Sequence, residues 1–104
     1  MTLKAELSRE HTMARLRELE PELRKRGVTS LAIFGSRARG DNRPDSDLDV
    51  LVDVDPMIKF SLFDLLGVQH LIQDTIGIET QATLRSDLDQ RTSERVADDI
   101  TKVF

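Results

Sequence analysis

The run GSRARGDNRPDSDLDVLVD, residues 35–53, decides both the fold and the chemistry that this chain can support. It follows the apolar segment LAIF, residues 31–34, which is typical of a short buried strand. Residues 36–40 are predicted to form one helical turn, and residues 41–45 have the composition of a loop. Residues 47–53 alternate in character and predict a second strand.

Two carboxylates at the start of that second strand are candidate metal ligands. Residues i and i+2 of a strand point to the same face, so Asp47 and Asp49 project together. Two ionised carboxylates side by side repel each other and favour a bound cation. Mg²⁺ takes oxygen ligands and usually shares them with substrate phosphates. An Asp-x-Asp pair on a solvent-facing edge strand is, however, also common without function.

The pair Gly35-Ser36 is a candidate phosphate-binding turn. Glycine allows close backbone approach, amide groups at a helix start favour anions, and a serine hydroxyl adds a donor. Alone, the pair is better explained as the end of a strand and the cap of a turn. Ten residues separate Ser36 from Asp47, which gives Gly-Ser-x10-Asp-x-Asp, and two flanking strands can bring both features to one end of a sheet.

Helices are predicted on either side of this run. Residues 8–26 have helical spacing up to Gly27, and Pro21 either kinks this helix or starts a second short one. Ser61 is the predicted N-cap of a helix that ends at Gly77, with Asp64 three residues on as in a capping box.

The remaining segments complete an alternating pattern. Residues 79–84 predict a third strand, and residues 87–103 predict a last helix. The order α-β-(turn)-β-α-β-α indicates an α/β (α+β) domain over residues 1–104, with a small mixed sheet of about three strands covered by helices.

Composition restricts the function classes. A net charge of −4 disfavours direct nucleic-acid binding. Residues 1–9 do not resemble a signal peptide, and no apolar run is long enough to cross a membrane. The absence of cysteine excludes thiolate chemistry and fits a cytoplasmic location. Eight cations lie between residues 15 and 43 and five aspartates between 45 and 55, which suits a site for both polyphosphate and metal.

The combined motif resembles the nucleotidyltransferase superfamily of the DNA polymerase β type, and its minimal nucleotidyltransferase group in particular. The resemblance extends from about Leu16 to Phe104. It implies that Gly35 and Ser36 hold the phosphates of a nucleotide and that Asp47 and Asp49 act as catalytic ligands of Mg²⁺. Arg37 and Arg39 are placed where they could add positive charge near the triphosphate, or they are solvated surface residues.

One position departs from the family pattern. The family usually supplies a third carboxylate from a later strand, where this chain has Gln81, which cannot accept a proton from a hydroxyl. Glu79 shares that strand face but lies two residues earlier, a displacement of about 6.6 Å at a rise of about 3.3 Å per residue. Catalytic competence therefore stays open at this stage.

The resemblance implies an antitoxin that transfers AMP from ATP to a side-chain hydroxyl of a HEPN-type toxin encoded nearby. An alternative is a module that neutralises its partner by binding alone, which Gln81 favours. Transfer to a small molecule or to RNA is disfavoured by the negative charge and by the lack of an acceptor domain in this sequence. Phe60, Leu62 and Phe63 are expected to pack within the domain, although they would also suit a homo-oligomer.

Overall fold

The centre of the fold is a mixed sheet in a computed structural model that describes residues 8–104. Over that range the sheet has four strands in the order β3-β2-β1-β4. Strand β2 runs parallel to β3, while β1 is antiparallel to both β2 and β4. The strands are β1 (Val28–Phe34), β2 (Leu48–Val54), β3 (Thr80–Leu84) and β4 (Thr101–Lys102).

Five α-helices connect and cover these strands within the described range: α1 (Arg9–Glu18), α2 (Glu20–Lys25), α3 (Ser36–Arg39), α4 (Leu62–Ile76) and α5 (Gln90–Val96). Pro21 lies in the first turn of α2, where its missing N–H costs nothing, so it starts a second short helix and does not kink one long helix. Most of the N-terminal segment that does not resemble a signal peptide, namely residues 1–7, lies outside the described range. No helix of residues 8–104 is long and apolar enough to cross a membrane.

The main core lies between the helices and one face of the sheet. It joins side chains of β1 and β2 with side chains of α1, α2 and α4, including Leu16, Leu23, Leu31, Ile33, Val50, Val52, Val68 and Ile72. Ala32 and Leu51 alternate with these strand residues and are also buried, but they do not belong to that cluster. Asp49 lies two residues before Leu51 and therefore projects from the opposite face of the sheet.

Helix α4 returns the chain to the end of the sheet where β2 begins. Its capping box is formed as predicted: the Ser61 hydroxyl accepts from the Asp64 N–H at 3.2 Å, and Asp64 accepts from the Ser61 N–H at 2.8 Å. Gly77, in a left-handed conformation, ends the helix. Strand β3 can then start beside the start of β2.

The apolar residues at the start of α4 are only partly buried. Leu65 and Ile72 lie in the core and Phe60 packs against it, but Leu62 and Phe63 are 68% and 83% exposed. The expectation that Leu62 and Phe63 pack within the domain is wrong, because the helix presents its first turn to solvent. A homo-oligomer through this surface stays a prediction.

The mixed sheet covered by helices is confirmed, but the expected last helix over residues 87–103 is shorter than predicted and a fourth strand follows it. Helix α5 ends at Val96, and residues 101–102 form β4 against Ala32 and Ile33. The pairing continues beyond β4, since the Val103 N–H donates to the Leu31 carbonyl at 2.8 Å. The backbone groups at the free edge of β1 need partners, and satisfying them outweighs the helical spacing of the apolar residues. The observed order is α-α-β-α-β-α-β-α-β.

Candidate functional site

The turn between β1 and α3 lies directly against a carboxylate of β2. Phe34 is paired with Asp49 in the antiparallel register, so the next residue, Gly35, emerges beside the Asp49 side chain. Gly35 has φ of 77° and ψ of −159°, a conformation that side chains rarely adopt. A Cβ atom added to Gly35 would lie 2.6 Å from Asp49 Oδ2. Only glycine therefore fits at position 35. The Gly35 turn and the Asp49 carboxylate lie together at one end of the sheet, as the sequence predicts.

The first amides of α3 are available to an external acceptor. The Ala38 and Arg39 N–H groups donate to the Gly35 carbonyl at 3.1 and 3.0 Å, which closes the turn. Gly35, as N-cap, has no side chain to accept from the first N–H groups. Ser36 is half-buried at this end, and its hydroxyl lies on the first residue of the helix. The turn can therefore receive an anion next to Asp49.

Asp47 and Asp49 form a concentration of negative charge at the start of β2. Asp47 is exposed and immediately precedes the strand, and Asp49 is half-buried. Burial raises the pKa of Asp49 above its ordinary value, and the nearby Asp47 carboxylate raises it further. Neither carboxylate forms an ion pair with any side chain of residues 8–104. An anion in the adjacent turn is therefore held more favourably when a cation accompanies it.

The neighbouring strand adds no carboxylate to this pair. In the parallel register Gln81 lies opposite Asp49, whereas Glu79 precedes β3 and accepts from the Leu48 N–H through its carbonyl at 2.8 Å. Among residues 8–104, no three His, Cys, Asp or Glu side chains converge on a point that could hold a metal ion. Two carboxylates fit a Mg²⁺ that takes its other ligands from phosphates and water, which is how that ion is usually held.

The two arginines of α3 differ sharply in their surroundings. Arg37 is 5% exposed, and its Nε donates to the Ser46 carbonyl at 2.9 Å. Burial lowers the pKa of Arg37, and the negative charge of Asp47 opposes that effect.

Arg39, in contrast, is exposed and pairs with two aspartates. It donates to Asp99 at 2.8 Å and to Asp41 at 3.2 Å, and these hydrogen bonds, the one to Asp99 first, raise the pKa of Arg39. Both arginines thus make contacts within the chain, and a role of either in nucleotide binding stays a prediction.

A cavity that sequence reasoning did not identify opens beside the loop that carries Asp47. It measures about 330 Å³ and lies between residues 44–46 and residues 77–79, with Arg37 in its wall. The Arg43–Ser46 turn at its rim is closed by the Ser46 N–H, which donates to the Arg43 carbonyl at 3.1 Å, and by the Arg43 N–H, which donates to Ser46 Oγ at 2.9 Å. Pro44 and Asp45, at the centre of this turn and within the predicted loop, are its sequence signals.

Comparison with known proteins agrees with this geometry. Residues 16–102 match the nucleotidyltransferase domain family. The protein adenylyltransferase MntA of Thermococcus cleftensis is 30% identical over 83 residues, which cover 79% of this chain and 82% of that relative. A solved structure described as a minimal nucleotidyltransferase is similar with a TM-score of 0.75 and 26% identity, over 90% of this chain and 94% of that one.

The fold likeness extends to a toxin–antitoxin complex. A structure of the tri-AMPylated Shewanella oneidensis HEPN toxin with its MNT antitoxin contains a chain that is similar with a TM-score of 0.65. The identity is 9%, over 89% of this chain and 71% of that one, so this likeness concerns the fold alone.

The charge at Asp49 predicts an effect on stability. A carboxyl whose pKa is raised on folding lowers the free energy of unfolding progressively as the pH rises from its ordinary value of 3.8 through the raised pKa. We expect Asp49→Asn to raise the melting temperature of the metal-free protein at pH 7, with a gain that shrinks towards pH 4. Because Asp49 is only half-buried, the gain should be small.

With Mg²⁺ and a nucleotide added, the wild type should instead melt at a higher temperature than Asp49→Asn, because binding stabilises the native state of the wild type alone. The matched control is Asp87→Asn, an exposed aspartate outside the site. A metal-free Asp49→Asn protein that melts below the wild type at pH 7 would contradict the charge repulsion inferred here.

Proposed function

The chain belongs to the nucleotidyltransferase domain family, and on that basis we propose that it transfers AMP from ATP, with Mg²⁺, to a side-chain hydroxyl of a partner protein. The observation that carries the proposal is the contact between the Gly35 turn and the Asp49 carboxylate, with Asp47 beside it. A phosphate-binding turn is useful next to two carboxylates only if a divalent cation joins them.

Each part of the site has a role in this reaction. Gly35 and the amides of Ser36 and the following residue would hold phosphate oxygens, and Asp47 and Asp49 would hold Mg²⁺. When bound, the metal would neutralise phosphate charge and orient the reacting oxygens. The acceptor hydroxyl oxygen forms a bond to the α-phosphorus of ATP, the bond from that phosphorus to the β-phosphate bridging oxygen breaks, and pyrophosphate leaves. Positioning and electrostatics supply most of the catalysis in such transfers.

A protein acceptor is supported by the openness of the site and by the relatives. Asp47, Glu79 and Gln81 are exposed, and β3 is an edge strand, so a large partner can approach the carboxylates from that side. The relative in Thermococcus cleftensis is named a protein adenylyltransferase. The fold is shared with an antitoxin in complex with a HEPN toxin. We therefore propose a HEPN-type toxin as the acceptor and an antitoxin role for this chain, acting in the cytoplasm and without direct nucleic-acid binding.

A second candidate function is neutralisation of the same partner by binding alone. The position of Gln81 opposite Asp49 favours it, because a neutral amide cannot accept the proton that the attacking hydroxyl must lose. In the transfer mechanism that proton passes to solvent or to the leaving pyrophosphate, and the reaction is correspondingly slow.

Intact-mass measurement separates the two functions. The purified protein is incubated with ATP, Mg²⁺ and the protein encoded next to it, and we expect the partner to gain the mass of one or more AMP groups. Asp47→Asn combined with Asp49→Asn should abolish the gain, since the metal ligands are lost, while Asp87→Asn should retain it. If wild type and double variant protect cells equally and neither modifies the partner, the binding-only function is correct.

Gln81 gives a gain-of-function prediction. Gln81→Asp places a carboxylate opposite Asp49 that can accept the hydroxyl proton, a contribution that is typically worth about 10²-fold or more in rate. We expect a higher single-turnover rate of AMP transfer for Gln81→Asp, whereas Gln81→Asn, which stays neutral, should match the wild type or fall below it. Equal rates for the aspartate and asparagine variants would show that proton removal does not limit the reaction.

A further inference from the structure

Arg37 has surroundings that its predicted contact with phosphate does not explain. It is the second residue of α3 and is 5% exposed, although the other arginine of this short helix, Arg39, is exposed. Burial of a guanidinium is unfavourable unless it makes strong hydrogen bonds. The fold therefore retains this charge inside the protein for a specific contact.

That contact is with the loop that carries the first metal-binding candidate. Arg37 Nε donates to the carbonyl of Ser46, the residue immediately before Asp47, at 2.9 Å. The same serine closes the turn with Arg43 through two further hydrogen bonds, of 3.1 and 2.9 Å. Ser46 is thus held by α3 on one side and by its own turn on the other, which fixes where the backbone enters Asp47.

One terminal nitrogen of the guanidinium is shielded from solvent. Arg37 Nη2 is buried, and within residues 8–104 it has no hydrogen-bond partner. A buried donor without a partner is rare and calls for an explanation. Asp47 is close enough for its negative charge to act on the guanidinium. Arg37 also lines two cavities, of about 330 and 380 Å³.

We propose that Arg37 is a positioning residue, which fixes the Ser46–Asp47 backbone so that the Asp47 carboxylate is held for the metal, and that it does not bind the triphosphate. Its Nε is committed to Ser46 and its Nη2 is shielded from solvent, so of its three nitrogens only Nη1 is left for any contact with a phosphate at the Gly35 turn. The proposal rests on the proposed function, because it assigns Asp47 to the metal. It changes the sequence-based interpretation, which placed Arg37 among the nucleotide-binding residues.

The test separates metal binding from nucleotide binding in Arg37→Lys and Arg37→Met. The affinity for Mn²⁺ is measured in the presence of a non-hydrolysable ATP analogue, and the affinity for the analogue is measured with all metal removed. Loss of a residue that orients a metal ligand typically weakens metal binding about 10- to 100-fold, and we expect that loss in both variants. The analogue should bind the metal-free variants as it binds the metal-free wild type. Arg91→Met, on the exposed surface of α5, is the control and should leave both affinities unchanged.

Lysine is informative because it keeps the positive charge and binds phosphate well, but it lacks the fixed planar donors of arginine. If Arg37→Lys keeps normal Mn²⁺ affinity, or if either variant loses metal-free analogue binding, the positioning role is overturned. Should Arg37→Met fail to fold, the comparison of Arg37→Lys with the wild type carries the test.

Asp47→Asn is measured in parallel to distinguish this proposal from the proposed function. Normal Mn²⁺ affinity in Asp47→Asn would reject the metal site itself. Weakened Mn²⁺ binding in Asp47→Asn together with normal Mn²⁺ binding in Arg37→Lys would reject only the positioning role.

Discussion

The antiparallel pairing of Phe34 with Asp49 determines where every other part of the site lies. Since β1 ends at Phe34, the chain must turn at the level of the Asp49 side chain, and the space left there accepts only glycine. The same register buries Ile33 and Val50 on the core face and leaves Asp49 on the other. A slip of one residue would exchange the two faces, placing the carboxylate in the core and a core valine outside it. The hydrophobic core thus fixes the position of the polar site.

The charges of the site are electrostatically unfavourable when no ligand is bound. Asp47 and Asp49 raise the local negative charge, and burial of Asp49 further penalises its ionised form. This unfavourable charge lies beside a turn whose first amides have no side-chain cap. A bound cation offsets the negative charge that repels phosphate, and a bound phosphate supplies further ligands to the cation. The site is therefore suited to bind the two together. Sites of this kind are less stable when empty, which is a common feature of functional regions.

Much of this site could be predicted from the sequence because its signals are local. Alternation places Asp47 and Asp49 on one face, and the apolar run before Gly35 marks the strand that delivers the turn. Strand β4 could not be predicted, because residues 101–102 become a strand only through pairing with the free edge of β1. The burial of Arg37 could not be predicted either, since it depends on a loop folding back so that Ser46 meets the guanidinium. Charge alone suggests contact of Arg37 with phosphate, whereas its tertiary contact with Ser46 supports the positioning role proposed above.

The central claim is that the carboxylate pair and the turn form one site in which metal and nucleotide depend on each other. Calorimetric titration of the wild type with a non-hydrolysable ATP analogue, with and without Mg²⁺, tests it most directly. The account predicts that Mg²⁺ strengthens binding of the analogue and that the analogue strengthens binding of Mg²⁺ by the same factor, as linkage requires. Identical affinity for the analogue with and without Mg²⁺ would contradict it.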